Sequence, residues 1–131
     1  MKAFHGTRNT SFILNEGFRT STGGEFGPGI YFSDNEHTAA FYALRVARGP
    51  EHPTILSARI SLQRPFEVRK IDWIKMTERS TPRTVQRRLV KKGYDSIIGV
   101  AINDYERQYI LFSPDQVEQS SVQIHARLER R

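Results

Sequence analysis

Hydrophobic and polar positions change period several times along the chain, as they do in a domain that mixes strands and helices. Residues 54–62 alternate between apolar and polar side chains, which is the period-two pattern of a half-buried strand. Residues 81–93 carry Thr81, Pro82 and Gly93 at the positions where a helix is capped, begins and stops. Short strands interrupted by helices indicate the α+β class.

Turn and capping signals delimit the other predicted elements. The further strands are expected at 2–5, 29–33, 96–100 and 108–112, and residues 122–128 alternate as a last strand or a frayed tail. Two helices are expected at 10–16 and 33–48, the second opened by Ser33 and Glu36 as a capping box. Asp72 is expected to cap a turn. Residues 20–28 hold three glycines and a proline, so they are expected to form a loop.

Length and composition restrict the class of protein. The chain has 131 residues, a length that favours one domain over residues 1–131. It has no cysteine, which excludes disulfides and thiolate metal sites. The apolar runs are far shorter than a membrane span, and the N-terminus lacks the apolar stretch of a signal peptide. We therefore expect a soluble, cytoplasmic protein that has no membrane partner, and we expect it to be a monomer.

The positive charge of the chain is unevenly distributed. The formal net charge is +6, and six basic residues lie within fourteen positions: Arg79, Arg83, Arg87, Arg88, Lys91 and Lys92. The C-terminus adds Arg127, Arg130 and Arg131. Such a cluster favours nucleotides, nucleic acid or an acidic protein surface as partners, and solubility alone is the other interpretation.

Two short segments carry candidate chemistry. The first is Phe4-His5-Gly6-Thr7-Arg8, in which the glycine allows a ligand to approach the backbone and the hydroxyl and guanidinium suit ribose and phosphate. The alternative is that the histidine is a structural hydrogen-bonding group. The second segment is Gly27-Pro28-Gly29-Ile30-Tyr31-Phe32-Ser33, followed by Tyr42.

The two tyrosines of the second segment are eleven residues apart. Tyr31 is expected on a strand and Tyr42 about two turns into the next helix, a spacing that allows two rings to stack on opposite sides of a flat ligand. The alternative is that both are core residues, as we expect Phe32, Phe41 and Leu44 to be.

Together these segments resemble the NAD-binding half of the ADP-ribosyltransferase superfamily, most closely its diphtheria-toxin and poly(ADP-ribose) polymerase branch. That branch carries a His-Gly-Ser/Thr strand, a Gly-x-Gly-Ile-Tyr-Phe strand and a second tyrosine on the following helix. The matching residues are His5-Gly6-Thr7-Arg8, 13–19, 27–34 and Tyr42. The resemblance covers residues 4–43 closely and 93–117 loosely.

The resemblance implies that NAD⁺ is the substrate. It places His5 on the adenosine ribose, the Gly6 backbone on the nicotinamide carboxamide and Thr7 on the adjacent ribose. It places Tyr31 and Tyr42 on either side of the nicotinamide ring. The full set implied to bind NAD⁺ is His5, Gly6, Thr7, Arg8, Arg19, Gly29, Tyr31 and Tyr42.

Three other points follow from the same resemblance. Arg19 is implied to meet the pyrophosphate, a suitable role for a guanidinium fork. Ala39 stands where the family often has serine, which removes one hydrogen bond to the carboxamide. No metal is implied, and the remaining histidines lack ligand-like spacing and are expected at the surface: His37, His52 and His125.

The last motif of the family departs from the pattern at its catalytic residue. A glutamate usually precedes the Tyr-apolar-apolar-aromatic strand and stabilises the oxocarbenium-like transition state, and this chain has Gln108 there. A glutamine can bond the ribose 2′-hydroxyl but brings no charge, at a cost on the order of 10² to 10³ in rate. Three interpretations stay open: Gln108 or another group acts, Glu106 acts from the same strand face, or the glutamine is an introduced substitution.

The resemblance therefore implies a compact α+β fold of two small sheets packed face to face, with NAD⁺ in a cleft between them. The implied reaction transfers ADP-ribose to a macromolecular acceptor, which is a host protein or nucleic acid. Residues 103–107 are expected to face this acceptor. The catalytic candidates are His5, Tyr31, Gln108 and Glu106. Small enzymes of this type occur in toxins, effectors and phage-borne proteins. The alternatives are a catalytically weak NAD⁺-binding module and a basic nucleic-acid-binding domain.

Overall fold

The structure is a computed structural model that describes residues 1–129, so Arg130 and Arg131 of the basic C-terminus lie outside it. The elements in chain order are β1 (Lys2–Thr7), α1 (Thr10–Glu16), β2 (Ile30–Ser33), α2 (Glu36–Arg45), β3 (Thr54–Arg59), β4 (Pro65–Arg69), α3 (Lys70–Met76), α4 (Pro82–Lys91), β5 (Ser96–Val100), β6 (Arg107–Leu111) and β7 (Gln123–Arg127). The predicted α+β class is confirmed. Within the described residues, no helix combines the length and the apolar character that crossing a membrane requires.

The strands hydrogen-bond in the order β4-β5-β6-β2-β1-β3-β7, so one seven-stranded sheet stands where two small sheets were predicted. Strand β4 was not predicted at all, because its sequence begins with proline and carries two charges in five residues. It pairs in parallel with β5, whereas β5 with β6 and β1 with β3 are antiparallel. Such pairings join segments far apart in sequence, and the periodicity of each strand does not specify its neighbour.

The chain divides into two compact units, and one of the four boundaries between them falls within β2, between Tyr31 and Phe32. The first unit comprises Met1–Phe18, Phe32–Ser61 and the described chain from Val117 onward. The second comprises Arg19–Tyr31 and Leu62–Gln116. The prediction of one domain over residues 1–131 stays a prediction.

In the first unit, β1 pairs with β3 along its whole length, from Lys2 opposite Arg59 to Thr7 opposite Thr54. Strand β3 was predicted to be half-buried, and this is wrong for residues 54–58, because Ser57 on the polar face is as buried as the apolar residues beside it; Arg59 on the same face is exposed as predicted. A central strand that is covered on both faces loses the contrast on which an alternation argument depends.

Helix α2 of the first unit begins at Glu36 and is capped by Asn35, whose side-chain oxygen accepts from the amides of His37 at 2.7 Å and Thr38 at 3.3 Å. The predicted capping box is therefore wrong. Ser33 lies at the end of β2, and its hydroxyl donates to the Asn35 carbonyl at 2.7 Å. An asparagine is as good a cap as a serine, so the helix start moves by two residues.

The second unit has a core of its own. Helices α3 and α4 contribute Trp73, Val85 and Leu89, which pack with residues of the strands and of the loop before β2. The predicted boundaries of α4 are confirmed, since Thr81 accepts from the amide of Thr84 at 3.1 Å and Gly93 adopts a φ of 91°. The predicted turn at Asp72 is instead the helix α3.

Candidate functional site

The candidate residues are divided between the two units, and each group has its own surroundings. In the first unit, His5 lies on β1 opposite Leu56 and is partly exposed. Its ring meets that of Phe18 edge-on at 5.0 Å between centroids and that of Phe32 at 5.4 Å. The histidine is thus held in a cluster of aromatic rings, which fixes its orientation in advance of any ligand.

Gly6, the next residue on β1, is required by packing within the first unit. A Cβ atom at this position would overlap the Ala39 carbonyl oxygen and would lie 2.8 Å from the Ala43 amide nitrogen. Ala39 and Ala43 are both buried on the facing side of α2. The glycine therefore allows the backbone of a helix to approach the strand, and the expectation that it makes room for a ligand is not needed to explain it.

Thr7 and Arg8 also make contacts within the first unit. The Thr7 hydroxyl accepts from the amide of Asn9 at 2.9 Å, and Thr7 is buried. Arg8 donates from Nε to the carbonyl of Ala43 at 3.0 Å and from Nη2 to that of Leu44 at 3.5 Å. A cation bonded to the last carbonyls of α2 stabilises the negative end of that helix, which gives Arg8 a structural role.

Among the candidate residues of the first unit, Tyr42 is the more exposed aromatic residue, with 40% of its surface accessible to solvent. It lies in the last turns of α2, where its carbonyl accepts from the amides of Val46 and Ala47. The expectation that Phe41 and Leu44 are core residues is wrong, since they are 62% and 36% exposed. This helix therefore presents aromatic and aliphatic side chains to solvent.

In the second unit, Tyr31 is bonded through its hydroxyl to the loop that precedes it. The hydroxyl accepts from the amide of Phe26 at 2.9 Å and donates to the carbonyl of Gly27 at 2.6 Å. A Cβ on Gly24 would lie 2.5 Å from this oxygen. The ring is partly buried and packs against the core of the second unit, so Tyr31 has a fixed position.

Gly29 and Arg19 complete the predicted NAD⁺ residues of the second unit. A Cβ on Gly29 would lie 2.6 Å from Cγ2 of Ile110 and 2.8 Å from the Leu111 carbonyl oxygen, so β6 requires this glycine. Arg19 is exposed and opens the unit.

Gln108 lies on β6 opposite Gly99 of β5 and is partly buried. Its side-chain oxygen is buried and has no hydrogen-bond partner among the described residues. A buried polar atom without a partner costs about 1–3 kcal/mol. Native structures satisfy the large majority of such atoms. The side chain is therefore suited to accept from a donor that binds there, such as a hydroxyl.

Glu106 does not lie on the same strand as Gln108, which corrects the expected geometry. Strand β6 starts at Arg107, and Glu106 precedes it with its carbonyl accepting from the amide of Ala101 at 2.9 Å. Period-two alternation therefore does not place this carboxylate on the same face as Gln108.

The connection between β5 and β6 is a tight, exposed turn. Asp104 adopts a φ of 61°, and the side chain of Asn103 accepts from the amide of Tyr105 at 3.0 Å. Two apolar side chains project from this turn, with Ile102 69% and Tyr105 84% exposed. Residues 103–107, predicted to face the acceptor, thus include the most exposed of the large hydrophobic residues.

The basic segment 79–92 contains six cations and no acidic residue; since the whole chain has a formal net charge of +6, the rest of the chain is formally neutral. Arg83 donates to the Thr22 carbonyl at 2.6 Å. The ion pairs found among residues 1–129 involve other side chains. The cations of this segment thus form an exposed positive surface on α4 and its flanks.

Two residues of the second unit were missed by the sequence analysis. Trp73 donates from its indole nitrogen to the Glu25 carbonyl at 2.8 Å, and Gln86 donates to the carbonyls of Phe26 at 3.0 Å and Pro28 at 2.7 Å. A signal for Gln86 was present, because it lies next to Val85 and three residues before Leu89, on the apolar stripe of α4.

The described part of the chain contains no group of three or more His, Asp or Glu residues arranged to hold a metal ion. The three remaining histidines are exposed, as predicted: His37, His52 and His125. His125 pairs with Glu36 at 2.8 Å.

Comparison with known proteins supports the resemblance. The family model described as ADP-ribosyltransferase in polyvalent proteins matches residues 1–123. A comparison with curated proteins finds none that matches the chain. The family match extends through residues 44–92, which the motifs alone left unaligned.

Proposed function

The chain belongs to the family of ADP-ribosyltransferases in polyvalent proteins, and on that premise we propose that it transfers ADP-ribose from NAD⁺ to a macromolecular acceptor. In this reaction the bond between ribose C1′ and the nicotinamide nitrogen breaks, and its electron pair leaves with nicotinamide. An acceptor nucleophile forms the new bond to C1′ and loses its proton. The observation that carries the proposal is the family match over residues 1–123.

The proposed roles on the nicotinamide side belong to Tyr31, Tyr42 and Gln108. The accessible ring of Tyr42 is suited to stacking. Tyr31 presents a ring already fixed through its hydroxyl. The unpartnered oxygen of Gln108 is suited to accept from the 2′-hydroxyl of the nicotinamide ribose.

The proposed roles on the remainder of NAD⁺ belong to His5, the Gly6 backbone, Thr7 and Arg19. Each follows from the family motif, and the aromatic packing of His5 supports it by fixing the ring before NAD⁺ binds. Arg8 is left out of this set, because its guanidinium is bonded to the carbonyls of α2.

The acceptor is proposed to be an acidic macromolecule, a host protein or nucleic acid. Two features of the second unit support this: the uncompensated cations of segment 79–92, and the exposed turn that carries Ile102 and Tyr105. A positive surface raises the encounter rate with a polyanion in a salt-dependent way. Exposed apolar side chains add contacts that salt does not weaken.

Gln108 also favours a second candidate function, a module that binds NAD⁺ with little or no turnover. The glutamine can hydrogen-bond the ribose but cannot offset the positive charge that develops as nicotinamide leaves. Glu106 carries a carboxylate directly before β6, which makes it the alternative candidate for offsetting that charge.

NAD⁺ binding by Tyr42→Ala tests the pocket assignment. Tyr42 has no side-chain hydrogen bond among the described residues, so this variant removes a ring without disturbing the loop that Tyr31 holds. Affinity should fall by about 1–3 kcal/mol, by analogy with the loss of one base–aromatic stack. Calorimetry on parent and variant gives the two dissociation constants.

Tyr105→Ala is the matched control, since it removes the same side chain from an exposed turn. It should bind NAD⁺ as the parent does. Equal affinity in all three proteins would remove Tyr42 from the pocket, and a parent that does not bind NAD⁺ at all would overturn the proposed function.

A further inference from the structure

Residues 20–28 were expected to form a loop, here called the glycine-rich loop, and in the second unit this loop is held by hydrogen bonds along most of its length. Helices α3 and α4 contribute side chains that donate to its backbone, among them Arg83 of α4, which bonds the Thr22 carbonyl. Trp73 of α3 bonds the Glu25 carbonyl, and Gln86 of α4 bonds the carbonyls of Phe26 and Pro28.

Every backbone polar group from Phe26 to Pro28 has a partner. The Phe26 amide donates to the Tyr31 hydroxyl, and its carbonyl accepts from Gln86. The Gly27 amide donates to the Gly24 carbonyl at 3.1 Å, and its own carbonyl accepts from Tyr31. The Pro28 carbonyl accepts from Gln86, and proline has no amide proton. This segment is therefore fully determined by hydrogen bonds.

Packing reinforces the same arrangement. The Phe26 ring is 2% exposed and lies 5.3 Å from that of Trp73. A Cβ on Gly99 would overlap the Phe26 ring, so β5 leaves space for it. Gly27 has a φ of 93°, and a Cβ there would lie 2.7 Å from the Gln86 amide nitrogen. Gln86 thus lies directly against the backbone that it bonds.

These contacts form a chain that ends at a candidate NAD⁺ residue. Gln86 fixes the carbonyls on both sides of Gly27, and the Gly27 carbonyl and Phe26 amide fix the Tyr31 hydroxyl. We infer that Gln86 is a positioning residue, which holds the glycine-rich loop and through it sets the angle of the Tyr31 ring toward nicotinamide. The inference rests on the proposed function for the identity of the ligand.

The Tyr31 hydroxyl is engaged with Phe26 and Gly27, so it serves the loop, and nicotinamide would meet the ring of Tyr31 and not its hydroxyl.

Gln86→Met tests the inference, because methionine matches the length of glutamine and has no donor. Trp73 is the one tryptophan of the chain and is bonded to the loop, so its quenching by acrylamide reports whether the loop is released. We expect more quenching together with NAD⁺ binding weakened by about tenfold or more, since small misplacements of a binding group have effects of this size. Gln86→Lys, which retains a donor long enough for both carbonyls, should restore both readouts.

Gln63→Met is the control, the same replacement at an exposed glutamine of the second unit, and both readouts should stay at the parent value. Melting temperatures identify any variant that fails to fold. If Gln86→Met fails to fold, Tyr31→Phe is used in its place, because this variant keeps the ring and removes the hydroxyl that the loop holds. Tyr31→Phe should then show more Trp73 quenching and weaker NAD⁺ binding.

The outcomes separate the inference from the proposed function. Increased Trp73 quenching with unchanged NAD⁺ affinity would overturn the positioning role and leave NAD⁺ binding intact. Unchanged quenching would overturn the role of Gln86 in holding the loop. A parent that binds no NAD⁺ would overturn the proposed function, and the positioning of Tyr31 toward nicotinamide with it.

Discussion

Each unit has a glycine in the motif of a candidate ligand residue, and the two glycines serve different purposes. In the first unit, Gly6 follows His5 and makes room for the rigid backbone of α2, because a Cβ there would overlap the Ala39 carbonyl oxygen. In the second unit, Gly27 precedes Tyr31, and its nearest neighbour is the end of the flexible Gln86 side chain. A glycine in a functional motif therefore does not by itself indicate ligand access. The two positions differ in how far the neighbouring atoms can move if a side chain is added, because Gly6 faces helix backbone and Gly27 faces a flexible side chain.

The largest expected effect is that of Gly6→Ala in the first unit. Backbone atoms of α2 cannot move aside locally, so the helix must shift, and we expect a loss of about 3 kcal/mol in the free energy of unfolding. Urea denaturation measures it. Gly23→Ala is the control, since a Cβ there meets nothing within 4 Å. Equal midpoints for the two variants would show that α2 does not lie as close to β1 as the structure has it.

A smaller effect is expected for Gly27→Ala in the second unit. An alanine with positive φ costs about 1–2 kcal/mol. The new methyl group also displaces the end of the flexible Gln86 side chain and weakens its bonds to the loop, which adds about 1 kcal/mol. The same denaturation experiment should rank this variant between Gly23→Ala and Gly6→Ala. A Gly27 variant that is less stable than the Gly6 variant would reverse the comparison between the two units.

The sequence predicted those features that depend on neighbouring residues. The cap at Thr81, the stop at Gly93 and the strand at Ser96–Val100 were found because propensity and capping act locally. Strand β4 was not found, since its stability comes from its parallel partner β5, which follows it along the chain only after helices α3 and α4. The order of the strands depends on the same kind of distant pairing.

For the candidate site, the motifs identified residues but not their contacts. His5, Tyr31 and Tyr42 were found from spacing and family resemblance. Arg8 bonds a carbonyl of α2 that lies 35 residues further along the chain. Gln86 bonds carbonyls of the glycine-rich loop that lie 58 and 60 residues before it. No local pattern encodes such a bond. A polar residue on an apolar helix stripe indicates only that some partner is present.

The rate of nicotinamide release from NAD⁺ by Gln108→Glu tests the central claim most directly. A carboxylate at this point of β6 would stabilise the charge that develops as nicotinamide leaves, so the rate should rise by about 10²-fold or more over the parent. Glu106→Gln, measured beside it, should leave the rate of each background unchanged, and a rate lost in this variant would assign the charge to Glu106 instead of position 108. An unchanged rate in Gln108→Glu, in a protein that still binds NAD⁺, would contradict the claim that Gln108 occupies the catalytic position.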